Sequence, residues 1–200
     1  MRNGGGHGDG DARTFHDRNL LCQAGPAPGP RRESVHDIAM SFDTTLIAAD
    51  WDMQKLAAAP MRELHGYWDQ RRRGRLMPAR ADIDIALIPT LLQYIFLVDV
   101  IDAGRDFRFR LAGTHFRDVT DQEVTGQHVG EAFPEEFGAD VRRVWTKVVG
   151  EKRPARGTGS LWIPGREHVK WEGIAMPLAE DDQIVNMLLG GVLFNLGRHA

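Results

Sequence analysis

The sequence predicts an α+β domain, a five-stranded antiparallel sheet with helices on one face and N-terminal helices covering the other. Three observations predict it. Two β-prone segments, 95–101 and 107–111, flank a short polar loop at 103–106, which is the pattern of a hairpin. A run with helical spacing follows Pro134, and three further strand-like segments, 155–163, 168–177 and 184–194, come after it. Helices gathered between two strands and a closing set of three give a segregated α+β order rather than alternating βαβ units.

Composition narrows the function classes. With 200 residues the chain has room for one domain and some extra sequence. Apolar residues make up 42% and charged residues 26%, ordinary globular proportions. The formal charge of -3 argues against a field that gathers nucleic acid or acidic lipid. Cys22 is the single cysteine, so there is neither an internal disulfide nor a thiolate zinc cluster, which fits a cytoplasmic protein. The longest charge-free apolar stretch, 85–98, has 14 residues and contains Pro89, whereas a membrane span needs about 20. The first residues lack the apolar run of a secretory signal.

Residues 1–30 hold 10 glycines and prolines, too little apolar surface to offset ordering entropy, so 1–42 is expected to be a disordered tail. His7, His16 and His36 are read as solvated, and Met40 as an alternative start of translation. Residues 43–93 form an N-terminal helical segment and 94–197 the sheet domain. Two helices are expected at 45–59 and 60–73, the second started by Pro60 at a first-turn position. Met61, Leu64, Tyr67 and Trp68 make its apolar stripe, Gly74 ends it, and Arg71, Arg72 and Arg73 suit the negative end of its dipole. A short helix is expected within 82–92, short helices within 114–126, and a long helix over 134–150. Pro164-Gly165 fits the centre of a type II turn.

The hairpin sets up a cavity. Phe107, Phe109 and Leu111 alternate with Arg108 and Arg110, so one strand face is apolar. Pairing Asp102 with Phe107 puts Val100 opposite Phe109, Val98 opposite Leu111 and Asp99 opposite Arg110, and a one-residue slip would mix charged with apolar positions. The inner face is then Phe96, Val98, Val100, Phe107, Phe109 and Leu111. The other face also carries Ile95, Leu97 and Ile101, so it needs a cover, either the stripe of Met61, Leu64 and Trp68 or a second subunit in a homodimer.

Tyr67-Trp68, MPAR at 77–80, DIDI at 82–85, LVDV at 97–100, FRFRLAGT at 107–114 and TGQ at 125–127 resemble the PAS_5 family, over about residues 50–195. The resemblance implies a PAS fold, a five-stranded antiparallel sheet cupping a small cavity, in stand-alone signalling modules found chiefly in alphaproteobacteria. It brings no family-wide ligand or catalytic residue. Against the wider PAS group, a cysteinyl flavin photosensor is excluded because Cys22 lies in the tail. Haem is disfavoured, since the long helix has no histidine and His115 and His128 precede it.

The candidate ligand-facing residues are Phe96, Val98, Phe109, Leu111, His115, Phe116, Phe133 and Trp145. His115 follows the Gly113-Thr114 turn and is placed either at the cavity mouth or in a local backbone contact. Phe133, Phe137 and Trp145 are either pocket wall or plain core. Asp99 with Arg110 reads as a cross-strand ion pair. Gly157-Thr-Gly-Ser160 has neither the ending of a phosphate loop nor a following helix, and reads as tightly packed strand. The arginines at 71, 72, 73, 75 and 80 come with no nucleic-acid-reading module. No metal site, catalytic residue or cofactor is assigned. The expected function is a non-enzymatic sensor or interaction module with a small apolar ligand and a signalling protein as partner. The alternative is a small α+β enzyme of isomerase or hydratase type, with His115 or Asp99 as base.

Overall fold

In the computed structural model the structure describes Ile47 and residues 50–195. The expectations for 1–42 and for Met40 lie outside the described residues. Five strands, β1 (Ile95–Ile101), β2 (Asp106–Ala112), β3 (Ala155–Ser160), β4 (Lys170–Leu178) and β5 (Met187–Asn195), form one sheet in the order β2-β1-β5-β4-β3. Every neighbouring pair is antiparallel. The helices are α1 (Ala59–Arg72), α2 (Thr114–Thr120), α3 (Val129–Ala132) and α4 (Glu135–Glu151).

The turns follow local chemistry. The Arg166 N–H donates to the Ile163 carbonyl at 2.9 Å around Pro164-Gly165, and Gly165 takes the positive φ of +81° that a type II turn requires. Helix α1 starts with Pro60 in its first turn and stops at Arg73, which is left-handed, followed by Gly74 at φ +83°.

Two local expectations are corrected. A helix over 45–59 is not found within its described part, where a 3₁₀ turn at Met53–Lys55 follows an extended Asp50. Asp50 exchanges both backbone hydrogen bonds with Arg156 of β3, at 3.0 and 2.9 Å. The reason is side-chain competition with the helix ladder: the Asp50 carboxylate accepts the Asp52 N–H and the Asp52 carboxylate the Gln54 N–H. The single short helix expected in 82–92 is instead broken into 3₁₀ turns, with Asp84 accepting the Ala86 N–H and Pro89 restarting the chain.

The hairpin register is also corrected. Val100 pairs with Phe107, Val98 with Phe109 and Asp99 with Arg108, two residues away from the expected alignment. A shift of two keeps every side chain on its face, which is why the face assignment survives for Val98 and Phe109. Between Leu97 and Val98 the register shifts again, so Leu97 pairs with Leu111 and Phe96 with Ala112. This bulge moves Leu111 to the face of Leu97, away from Phe109. The observed pairing of Ile101 with Asp106 leaves the four residues 102–105 to make the turn, of which Asp102, Ala103 and Gly104 take positive φ.

Both sheet faces are covered. On the inner face α4 lays Trp145 against Phe96, Phe107 and Phe109, with ring centroids 5.4–5.8 Å apart. On the outer face α1 buries Met61, Leu64, Tyr67 and Trp68. The Leu64 and Met61 side chains lie directly over Gly191 of β5. The Trp68 Nε1–H donates to the Pro177 carbonyl at 3.0 Å, fixing the helix to β4. The Tyr67 hydroxyl donates to the Asp84 carbonyl and accepts the Asp84 N–H, each at 2.8 Å, which ties the 3₁₀ run to the helix.

Replacing Trp68 by Ala removes a buried indole and its hydrogen bond, and the expected loss of stability is about 3–5 kcal/mol. Urea unfolding checks it. A change under about 0.5 kcal/mol would mean that α1 does not carry the outer face.

Candidate functional site

The site is built from what the strands omit. Strand residues alternate faces, and on the inner face β3 offers Ala155, Gly157 and Gly159, β4 Trp171, Gly173 and Ala175, and β5 Gly190, Val192 and Phe194. The glycines make room for rings. A Cβ on Gly190 would overlap the Phe96 ring, and one on Gly159 would sit 2.8 Å from the Trp171 indole. Phe96 and Trp171 therefore lie on bare backbone, and the space above Gly173 and Ala175 stays open.

A cavity of about 80 Å³ lies between this face and α4. That is room for roughly half a dozen waters or one ring-sized molecule. Phe96, Phe109, Val144 and Trp145 line one end; Phe116, Phe133, Phe137 and Trp162 line the other. The rings pack edge-on or tilted, with Phe133 and Trp162 at 4.9 Å and Phe137 stacked on Trp162 at 4.4 Å. Ile47 closes the β3 side, its Cγ2 against Gly157.

Among the described lining residues Arg156 alone is charged, and its guanidinium is committed elsewhere. It donates to Glu172 at 3.0 Å and lies 3.4 Å from the Asp50 carboxylate. Glu172 also accepts the Ala57 and Ala58 N–H groups. Burial works to raise the Glu172 carboxyl, but those two N–H groups and Arg156 outweigh it and hold it below the usual range.

The eight candidate residues divide. Phe96, Phe109, Phe116, Phe133 and Trp145 line the cavity. Val98 is fully buried on the inner face but is not part of the lining. Leu111 is turned away by the bulge and is half-buried. His115 sits behind the wall: its Nε2 accepts the Phe194 N–H at 3.1 Å and its ring meets Tyr94 edge-on at 5.0 Å. Burial pushes His115 below its usual value, and accepting that N–H requires a bare Nε2, so the imidazole is neutral. Asp99 takes Arg110 Nε at 2.8 Å and Arg108 Nη2 at 3.0 Å, one on each oxygen. Burial works to raise its carboxyl, and the two guanidinium groups more than offset that, so Asp99 stays ionised.

Sequence reading missed Trp162, Trp171 and Phe194 as wall residues. The signal for two of them was present, since Trp171-x-Gly173-x-Ala175 and Val192-x-Phe194 are period-two stripes whose small members imply space. Trp162 lies beyond β3 in an irregular stretch, where no periodicity points it anywhere. Among the described residues no cluster of His, Cys, Asp and Glu is set to hold a metal ion.

The PAS_5 family of PAS domains matches residues 45–193. Among solved structures, the chain is similar to the PAS domain of Bordetella pertussis BvgS, at 16% identity and a TM-score of 0.44, over 57% of this chain and 88% of that one. None of the curated proteins compared with the chain matches it.

Two outcomes test this geometry. Gly190→Ala pushes a methyl into the Phe96 ring and is expected to cost about 1–3 kcal/mol in a urea melt; a neutral result would mean the ring is free to leave. Asp99→Asn removes a carboxyl whose folded value lies below its unfolded value of about 3.9. Such a group binds its proton more weakly when folded, so its contribution is complete above about pH 4 and disappears as the pH falls through the lower folded value. The variant is expected to be roughly 1–3 kcal/mol less stable at pH 7, with the gap closing towards pH 3. A gap that stays constant with pH would sink the ion-pair reading.

Proposed function

Because the chain belongs to the PAS_5 family of PAS domains, we propose that it works as a non-enzymatic signalling module. Its core cavity takes a small apolar ligand, and its output passes through contact with a protein partner. The observation that carries this reading is the ring-walled cavity, whose lining among the described residues holds no acid, histidine, serine or cysteine. Such a space gives binding energy through apolar burial and supplies no group to move a proton.

The enzyme alternative needs a base facing a substrate. Asp99 is held ionised by two arginines on the other face, and His115 spends its free nitrogen on a backbone N–H. Both arrangements weigh against general-base work. Nucleic acid is disfavoured as a partner: of the basic run, Arg72 pairs with Asp69 and Arg75 with Asp82, and Arg71 covers the Tyr67 ring. Among the described residues no helix is long and apolar enough to cross a membrane, and a place in the cytoplasm remains part of the proposal. Leu76, Leu87 and Ile184 are exposed apolar side chains open to a partner or a second copy.

The test is thermal unfolding with ethylbenzene as the probe. A ligand that binds only the folded state at about 100 times its Kd adds roughly 2.7 kcal/mol, or about 5 °C or more in Tm for a chain of this size. Val144→Phe, which places a ring in the cavity, is expected to abolish the rise while keeping the fold. No rise with ethylbenzene at saturation, in protein stripped of co-purified molecules by refolding, would end the reading.

A further inference from the structure

The cavity's chemistry is set by one atom. Trp68 and Trp171 place their indole N–H groups on the Pro177 and Ser160 carbonyls, both at 3.0 Å. The Trp162 Nε1–H is buried from water and has no acceptor among the described residues. Buried donors in folded proteins are almost always paired, so an orphan calls for a partner from outside the chain. Trp162 is itself part of the cavity wall. The groups packed on it are rings: Phe137 stacks on it, Phe133 meets it edge-on, and Phe116 and Phe194 lie at 6.1 and 6.3 Å. None of these side chains carries an oxygen or nitrogen.

We infer that the ligand of this cavity is a neutral, ring-sized molecule with one hydrogen-bond acceptor, a carbonyl or ether oxygen, that takes the Trp162 indole N–H, with the Trp162 ring tilting to bring that N–H to the cavity. This rests on the reading of the cavity as an apolar ligand site and deepens it. Neutrality follows from the charges nearby. An anion entering the cavity would leave water and find Arg156 already held by Glu172 and Asp50. A cation would leave water as well and, among the described residues, find no carboxylate in the lining to pair with. An acceptor oxygen, by contrast, meets a donor that otherwise gains nothing from being buried.

Acetophenone and ethylbenzene are near-isosteres that differ in that oxygen, and benzoate adds a charge. Dissociation constants for all three are measured on the wild-type chain and on Trp162→Phe, which keeps a ring and removes the donor. Acetophenone is expected to weaken by roughly 3–10-fold in the variant, while ethylbenzene stays within about two-fold and benzoate binds more weakly than either in both proteins. Indole ¹H–¹⁵N spectra of the wild-type chain give a readout that does not need the variant to fold. Of the 5 tryptophan signals, the one assigned through its neighbours to Trp162 is expected to move downfield with acetophenone and not with ethylbenzene. Acetophenone binding without that shift, equal weakening of both neutral probes, or preference for benzoate would overturn the inference while leaving the cavity reading intact. Failure of all three probes to bind would overturn both.

Discussion

The structure depends on glycines that seat aromatic rings against the sheet. Glycine weakens a strand, because it adds backbone entropy and packs nothing. Here that cost is offset by what lies on the bare backbone. Phe96 occupies the space over Gly190, and the Trp171 indole that over Gly157 and Gly159. Once Phe96 is seated, its ring fixes Trp145 at 5.5 Å, and Trp145 in turn sets α4 above Phe107 and Phe109. The cavity is what remains where glycine and alanine continue and no ring reaches, over Gly173 and Ala175.

A second constraint follows from β5, which lies in the sheet's centre and is apolar on both sides. Neither face can meet water, so two covers are needed and their characters differ. The inner cover is ring-rich and leaves space. The outer cover is α1, which packs Met61 and Leu64 onto Gly191. Charge is kept to the outer face and its edges, where Asp99 joins Arg108 and Arg110, and Glu172 joins Arg156. Keeping the ion pairs on the face away from the rings is what leaves the cavity apolar.

Much of this was legible in the sequence, and the gaps have physical causes. All five strands, α1 and α4 were readable because periods of two and 3.6 extend over enough residues to be unambiguous. The 50–58 stretch was misread because Asp50 and Asp52 bind backbone N–H groups more locally than helix propensity recognises. The hairpin alignment was misread by two residues because alternation cannot tell registers of the same parity apart. Leu111 was assigned to the wrong face because a bulge has no marker in FRFRLA. Phe96, Phe109, Phe116, Phe133 and Trp145 lie in the wall because rings fill inner positions whatever the exact register. Trp162 was invisible because it comes from irregular chain and is placed by its neighbours alone.

The cavity and the molecular surface meet in one residue. Arg156 lines the cavity wall, while its guanidinium grips Glu172 and its backbone N–H and C=O pair with Asp50. Glu172 in turn accepts the N–H groups of Ala57 and Ala58, where α1 begins. The contact from the hollow to the start of the outer helix is thus unbroken and runs through charge-assisted hydrogen bonds, which are shorter and more directional than apolar contacts. A ligand in the hollow alters that helix only to the extent that it prefers one position of β3 over another. On the proposed ligand reading, the shape of the ligand therefore matters more than its bare affinity. A molecule that fills the space without moving the wall stabilises the fold and conveys nothing.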